Sequence, residues 1–137
     1  MKKLGLIFII FLFGIINIFA QDVSEASRFI KLANTYIQNN NLEKADANLN
    51  KARELLGNAK SWDAQYWNAV IDETYGQYYL KLNNAEMATF SFNQALSKYK
   101  KLIKIQGGSQ DALTELMERS NLLEQNLNLV AGNAKTV

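Results

Sequence analysis

The chain contains no cysteine, no histidine and no proline among its 137 residues. Without cysteine it forms no disulfide, offers no thiol nucleophile and carries no lipid-anchored cysteine. Without histidine it lacks the commonest general base, and the usual ligands of zinc are missing altogether. The absence of proline favours long helices, because proline removes an amide donor and clashes with the preceding turn. Alternating strand-type segments are also missing, so the sequence predicts an all-α fold, long enough for one domain.

Outside the N-terminus the chain has no excess of positive or negative charge. The chain carries 15 Lys and Arg residues against 13 Asp and Glu residues. Two of the basic residues are Lys2 and Lys3, and removing them leaves thirteen of each sign. A near-neutral domain offers no electrostatic basis for binding nucleic acid, so no nucleic-acid partner is expected.

The N-terminus has the organisation of an export signal. Lys2 and Lys3 precede an apolar run over residues 4–19, and Ala20 provides a small residue at a plausible cleavage point. A basic region, an apolar region and a small residue, in this order, predict a signal peptide over residues 1–20. An uncleaved membrane anchor is the alternative, because the run is only slightly shorter than a membrane span. In both cases the rest of the chain is expected to be exported, as a periplasmic or secreted protein without a membrane contact after cleavage.

The remaining chain shows helical periodicity in five segments. Apolar residues recur every three or four positions, and the predicted helices cover about 23–38, 42–56, 62–82, 85–105 and 110–130. Asp22, Ser61 and Ser109 are candidate N-caps, and asparagine or glycine clusters separate the helices. The domain is thus predicted over 21–130, with a flexible tail over 131–137. Because the connections are short, neighbouring helices should lie antiparallel as two hairpins and a fifth helix.

The two predicted hairpins share one sparse pattern. Nine residues separate Tyr36 from Ala45, and nine separate Tyr79 from Ala88. Each alanine is followed by an apolar residue four positions later and by another alanine seven positions later, namely Leu49 and Ala52 in the first copy and Phe92 and Ala95 in the second. Repeated hairpins bury their apolar faces against one another, which indicates a binding scaffold rather than a catalyst.

These residues resemble the tetratricopeptide repeat. The second copy reads Tyr75-Gly76-x-x-Tyr79 followed by Ala88-x-x-x-Phe92-x-x-Ala95, and the first reads Leu32-Ala33-x-x-Tyr36 followed by Ala45-x-x-x-Leu49-x-x-Ala52. The copies are 43 residues apart rather than the usual repeat of about 34, which fits a longer third helix. The resemblance implies a short α-solenoid of about two repeats with a C-terminal capping helix.

The same resemblance implies a partner-binding groove. In this family the first helices of successive repeats line a concave face that holds a peptide segment or a partner helix. The corresponding positions here are Ser27, Ile30, Asn34, Ile37, Gln38, Val70, Glu73, Gln77, Leu80 and Lys81. The polar members, Asn34, Gln38, Glu73, Gln77 and Lys81, are the candidate partner-binding residues. The alternative is that they are ordinary solvated side chains.

Two other clusters have a structural and a functional interpretation. The aromatic residues Trp62, Tyr66 and Trp67 crowd the start of the third helix. They are suited to an interaction hot spot, but burial between the hairpins is the favoured interpretation. Lysines recur at positions 98, 100, 101 and 104 late in the fourth helix. A solvated face near the negative end of the helix dipole is favoured over an anionic ligand site.

The fifth helix carries an apolar seam formed by Leu113, Leu116, Leu123, Leu127 and Val130, with Ser120 among them. The seam predicts packing on the fourth helix, and the flanking Leu122 and Leu129 leave a homodimer through this helix as an alternative. Acidic pairs such as Asp72 and Glu73 cannot converge on one point, so no catalytic, metal or cofactor site is expected. The sequence therefore predicts an exported, non-catalytic protein–protein interaction module. The alternatives are a self-associating helical bundle and a membrane-anchored subunit.

Overall fold

Five helices make up the part of the chain that the structure, a computed structural model, describes: residues 21–105 and 107–135. Helix α1 covers residues 21–38. It is followed by α2 (Leu42–Leu56), α3 (Trp62–Lys81), α4 (Ala85–Lys104) and α5 (Gln110–Lys135). No strand occurs in these two ranges, which confirms the all-α prediction. The predicted signal peptide lies outside the described residues.

The helix boundaries follow the predicted ones closely, with differences at both ends of the chain. Residue 21 is already helical, so Asp22 lies within α1 and the prediction that it is an N-cap is wrong. At the other end, α5 continues to Lys135, beyond the predicted end at Val130. No proline or left-handed residue interrupts the backbone between Val130 and Lys135, so the helical hydrogen bonding simply continues.

Asparagine closes both hairpins, as predicted. Asn40 and Asn83 adopt positive φ angles of 57° and 54°, the left-handed conformation that ends a helix. The next asparagines, Asn41 and Asn84, cap the helices that follow, because their side chains accept hydrogen bonds from the backbone of Lys44 and Met87. Each turn therefore ends one helix and starts the next within a few residues, which forces the two helices to run antiparallel.

Helix α3 lies at the centre of the described fold. It packs against α2 on one side and α4 on the other, and α4 in turn packs against α5. The ammonium of Lys31 in α1 lies 6.0 Å from the centre of the Trp67 ring, which places α1 beside α3 as well. The packing of α5 on α4 confirms the structural interpretation of the α5 seam, whose Leu116 and Leu123 are buried.

Small residues allow the helices to approach closely. The four alanines of the repeat pattern, Ala45, Ala52, Ala88 and Ala95, are all 0% exposed. Gly76 is buried as well, and a Cβ placed on it would lie within 2.7 Å of three ring carbons of Phe92. Only glycine leaves room for this ring, so α3 and α4 are in contact at the second copy of the pattern.

The Trp62 side chain fills the space beneath the turn from α4 to α5. Its indole nitrogen donates a 3.4 Å hydrogen bond to the carbonyl of Leu102, and a Cβ on Gly108 would lie 2.8 Å from the ring. The ring also stacks on Tyr66 at 5.7 Å with an interplanar angle of 5°. Both residues, like Trp67, are partly buried against the core, which supports a packing role for this cluster.

Candidate functional site

Four of the five predicted groove side chains are available for a partner. Gln38, Gln77 and Lys81 are exposed, and Asn34 is half-buried. Their side chains make no hydrogen bond or ion pair with any residue of the described ranges. They therefore offer donors and acceptors that no described residue satisfies.

Glu73, the fifth predicted residue, is bound within the fold. Its carboxylate forms an ion pair with Arg119 of α5, with a 3.4 Å distance between Oε2 and the Nε atom. Burial raises the pKa of the Glu73 carboxyl above its usual range, while the positive charge of Arg119 acts in the opposite direction. Glu73 thus joins α3 to α5, a contact that no local pattern in the sequence indicates.

Arg119 also binds the aromatic cluster. Its Nη1 atom donates a 2.7 Å hydrogen bond to the Tyr66 hydroxyl, and this hydroxyl donates to Glu115 at 3.1 Å. Arg119 is the single arginine in α5, and this is the only feature of the sequence that could have marked it as a residue that links α5 to α3. The fully buried Tyr99 lies at the same junction. Its hydroxyl has no hydrogen bond of ordinary geometry with any described residue, and burial raises its pKa.

The apolar positions of the predicted groove are different. Ile30, Ile37 and Val70 are 1%, 4% and 3% exposed, so the expectation that they line a groove is wrong. These branched side chains belong to the apolar stripes of α1 and α3, and leaving them in water would forfeit the free energy of their burial. The available groove surface is therefore polar, apart from the partly exposed Leu80.

The lysine run in α4 is only partly a solvated face. The Lys98 ammonium lies 2.6 Å from Asp72 of α3, and the Lys100 ammonium lies 2.5 Å from Glu124 of α5. These two lysines thus link α4 to its neighbours on either side. Because the side chains of these ion pairs are partly exposed, the pairs contribute little to the free energy of unfolding. Their main effect is that part of the positive charge on α4 is neutralised.

The acidic pair on α3 is divided between two sides of the helix. Asp72 binds Arg53 of α2 at 3.2 Å in addition to Lys98, whereas Glu73 points to Arg119. Among the described residues, no three acidic side chains converge in a way that could hold a metal ion. Nor is any described helix both long and apolar enough to cross a membrane.

Comparison of the chain with protein-family models, with curated proteins and with solved structures found no match. The described fold presents three surfaces to a partner: the polar face of α1 and α3, the outer face of α5, and a groove between α2 and α4.

Proposed function

We propose that this protein is an exported, non-catalytic interaction module of the tetratricopeptide type, which binds a segment of another protein on the face formed by α1 and α3. The main support for this proposal is that Asn34, Gln38, Gln77 and Lys81 have no hydrogen-bonding partner among the described residues. Amide side chains of this kind can pair with the backbone of a bound segment.

The contact between α3 and α4, the two helices of the second hairpin, supports a hairpin of the tetratricopeptide type. Gly76 and Ala88 are both buried, and Phe92 occupies the space beside Gly76. The tetratricopeptide pattern requires small residues at these positions because its two helices touch there. In a solenoid of two such hairpins, the first helix of each lies on the same side, where one extended segment can contact both.

The proposal assigns α5 the role of a cap. Its buried Leu116 and Leu123 cover α4, and Arg119 fastens it to Glu73 and Tyr66 of α3. A repeat array needs such a terminal element, because its last hairpin otherwise exposes an apolar face. Export is part of the proposal and rests on the predicted leader at residues 1–20.

Affinity capture from the native host, read by mass spectrometry, tests the binding face. We expect at least one partner of the unmodified protein to be lost from a variant with Asn34→Ala and Gln77→Ala. A variant with Asn121→Ala and Asn128→Ala, which alters exposed amides of α5 to one side of Leu122 and Leu129, is the matched control and should keep that partner. Identical partner sets for all three proteins would refute the binding face, and an N-terminus found at residue 21 would support export.

Self-association through α5 is the second candidate function. Leu122 and Leu129 are 61% and 65% exposed and lie seven residues apart, so they share one side of the helix. Light scattering of the purified protein distinguishes the two functions. A dimer that is converted to a monomer by Leu122→Asp would support self-association, whereas a monomer at high concentration would exclude it.

A further inference from the structure

A second groove, here called the aromatic groove, runs between α2 and α4 with α3 as its floor. The backbones of α2 and α4, both described in full, do not come into contact, and the space between them is about 390 Å³. Tyr75 and Tyr79 of α3 form the floor. The groove is open to solvent along one side, and its volume is large enough to admit side chains of a bound chain.

One end of the aromatic groove carries a surplus of positive charge. The carboxylate of Asp72 is shared by two cations, Arg53 at 3.2 Å and Lys98 at 2.6 Å. One negative charge cannot neutralise two positive ones, and both cations are partly exposed. A carboxylate supplied by a partner would therefore find two cations at this end, and the shared Asp72 holds them in place.

The other end is accessible and mainly apolar, and the one carboxylate that lines the groove away from Arg53, that of Asp46, accepts a hydrogen bond from the Tyr75 hydroxyl. Phe90 is 58% exposed and Met87 is 37% exposed, and both line the aromatic groove next to Tyr79. Aromatic residues and methionine are the types enriched at the centres of protein interfaces. A large apolar side chain of a partner would be removed from water between these three residues.

The middle of the groove provides unsatisfied polar groups. The side chains of Ser91 and Gln94 line the groove and make no hydrogen bond with any described residue. The Tyr75 hydroxyl, by contrast, is engaged, because it donates a 2.8 Å hydrogen bond to Asp46. Ser91 and Gln94 can therefore bind the backbone of an occupant, while the tyrosine remains fixed as the floor.

The spacing of the two ends defines the occupant. Phe90 and Lys98 are eight residues apart on α4, which corresponds to about 12 Å along a helix. An extended chain advances about 3.3 Å per residue, so three or four residues cover this distance. An occupant that satisfies both ends has an acidic residue and a large apolar residue three or four positions apart.

From this arrangement we propose that the aromatic groove binds an extended segment of a partner protein in which an aspartate or glutamate lies three or four residues from a leucine or phenylalanine. The acidic group binds between Arg53 and Lys98, and the apolar side chain packs on Phe90. The helical rotation of about 100° per residue places Gln77 and Lys81 on the opposite side of α3 from Asp72 and Tyr79. The groove is thus distinct from the polar face of α1 and α3 and does not depend on it.

Selection from a random peptide library on the immobilised full chain tests this specificity. The expected result is enrichment of peptides with an acidic and a large apolar residue three or four positions apart. One enriched peptide is then synthesised with a fluorescent label, and its binding is measured by fluorescence anisotropy. We expect replacement of its acidic residue by the matching amide to weaken binding about fivefold to tenfold, and added salt to weaken it further.

Variants of the protein locate the binding site. Phe90→Ala should weaken binding of the peptide tenfold or more, and Lys98→Gln about fivefold. Because both side chains are partly exposed, the variants should fold, which circular dichroism checks. The variant with Asn34→Ala and Gln77→Ala should bind the peptide with unchanged affinity. A result that refutes binding at the α1–α3 face is therefore distinguishable from one that refutes binding in the aromatic groove.

Three results would overturn the proposal. The first is a library without enrichment for the acidic and apolar pair. The second is a peptide whose affinity is unchanged by Phe90→Ala and Lys98→Gln. The third is a concentration-dependent dimer that Phe90→Ala dissociates, since the occupant would then be a second copy of the chain.

Discussion

The ring of Phe92 occupies the space in which a Cβ of residue 76 would lie, and Gly76 is buried beneath it. Phe92 itself is 0% exposed, so the ring has no room to move away. This pair determines how closely α3 and α4 approach, and those two helices form the largest contact among the described elements. The integrity of the second hairpin therefore depends on residue 76 having no side chain.

We expect Gly76→Ala to lower the free energy of unfolding by about 1–3 kcal/mol, because the added methyl overpacks a closed site. Alanine is the better helix former by roughly 0.5–1 kcal/mol, so the steric effect has to exceed this gain. Gly132→Ala is the matched control, since a Cβ there meets no atom within 4 Å and only the helix propensity changes. Urea unfolding of the three proteins measures both effects, and equal stabilisation by the two substitutions would contradict the close contact.

The hairpin turn after α3 makes a separate prediction about backbone conformation. Asn83 has a φ of 54°, which costs an ordinary L-residue roughly 1–2 kcal/mol. Asn83→Ala should therefore destabilise the protein by about 1 kcal/mol, whereas Asn83→Gly should be neutral or slightly stabilising. Thermal unfolding of both variants provides the measurement, and the same order is expected at Asn40, whose φ is 57°.

The two sides of α5 should respond very differently to the loss of a leucine. Leu116 is 0% exposed and packs in the core, so Leu116→Ala should cost about 2–5 kcal/mol through lost burial and the cavity it leaves. Leu122 is 61% exposed, and Leu122→Ala should change the stability of a monomer by less than about 0.5 kcal/mol. A large loss for Leu122→Ala that depends on protein concentration would instead reveal an interface on this side.

Local features were predictable from the sequence because short-range physics decides them. The asparagine turns at Asn40 and Asn83 follow from the left-handed conformation that asparagine tolerates, and the structure confirms both. The burial of Ala88, Phe92 and Ala95 on one face of α4 follows from helical spacing and is likewise confirmed. None of these features depends on which helices are neighbours.

Features that depend on distant pairs were not predictable in this way. Arg119 reaches Glu73 across 46 positions of the chain, and no local pattern marks the two as partners. The aromatic groove likewise exists because α2 and α4 stay apart, which depends on how both pack on α3. The incorrect assignment of Ile30 and Val70 to a groove has the same origin, since a repeat pattern fixes positions on a helix but not what covers them.

Because Glu73 is partly buried beside Arg119, we expect the stability of the protein to depend on pH. Burial raises the pKa of Glu73 in the folded protein above the ordinary value of 4.5 that applies when the chain is unfolded. A carboxyl whose pKa is raised by folding binds a proton more readily in the folded state. Acidification from neutral pH towards 4.5 should therefore add stability through this residue, and no further gain should follow once both states are protonated.

Comparison with Glu73→Gln isolates this contribution, because other titrating groups are common to both proteins. The free energy of unfolding of the unmodified protein should rise relative to that of Glu73→Gln as the pH falls from 7 towards 5. Urea unfolding at several pH values in this window measures the difference. If the difference stays constant or changes in the opposite direction, the attraction of Arg119 outweighs the cost of burying the carboxylate, and Glu73 is a net anchor for α5 at neutral pH.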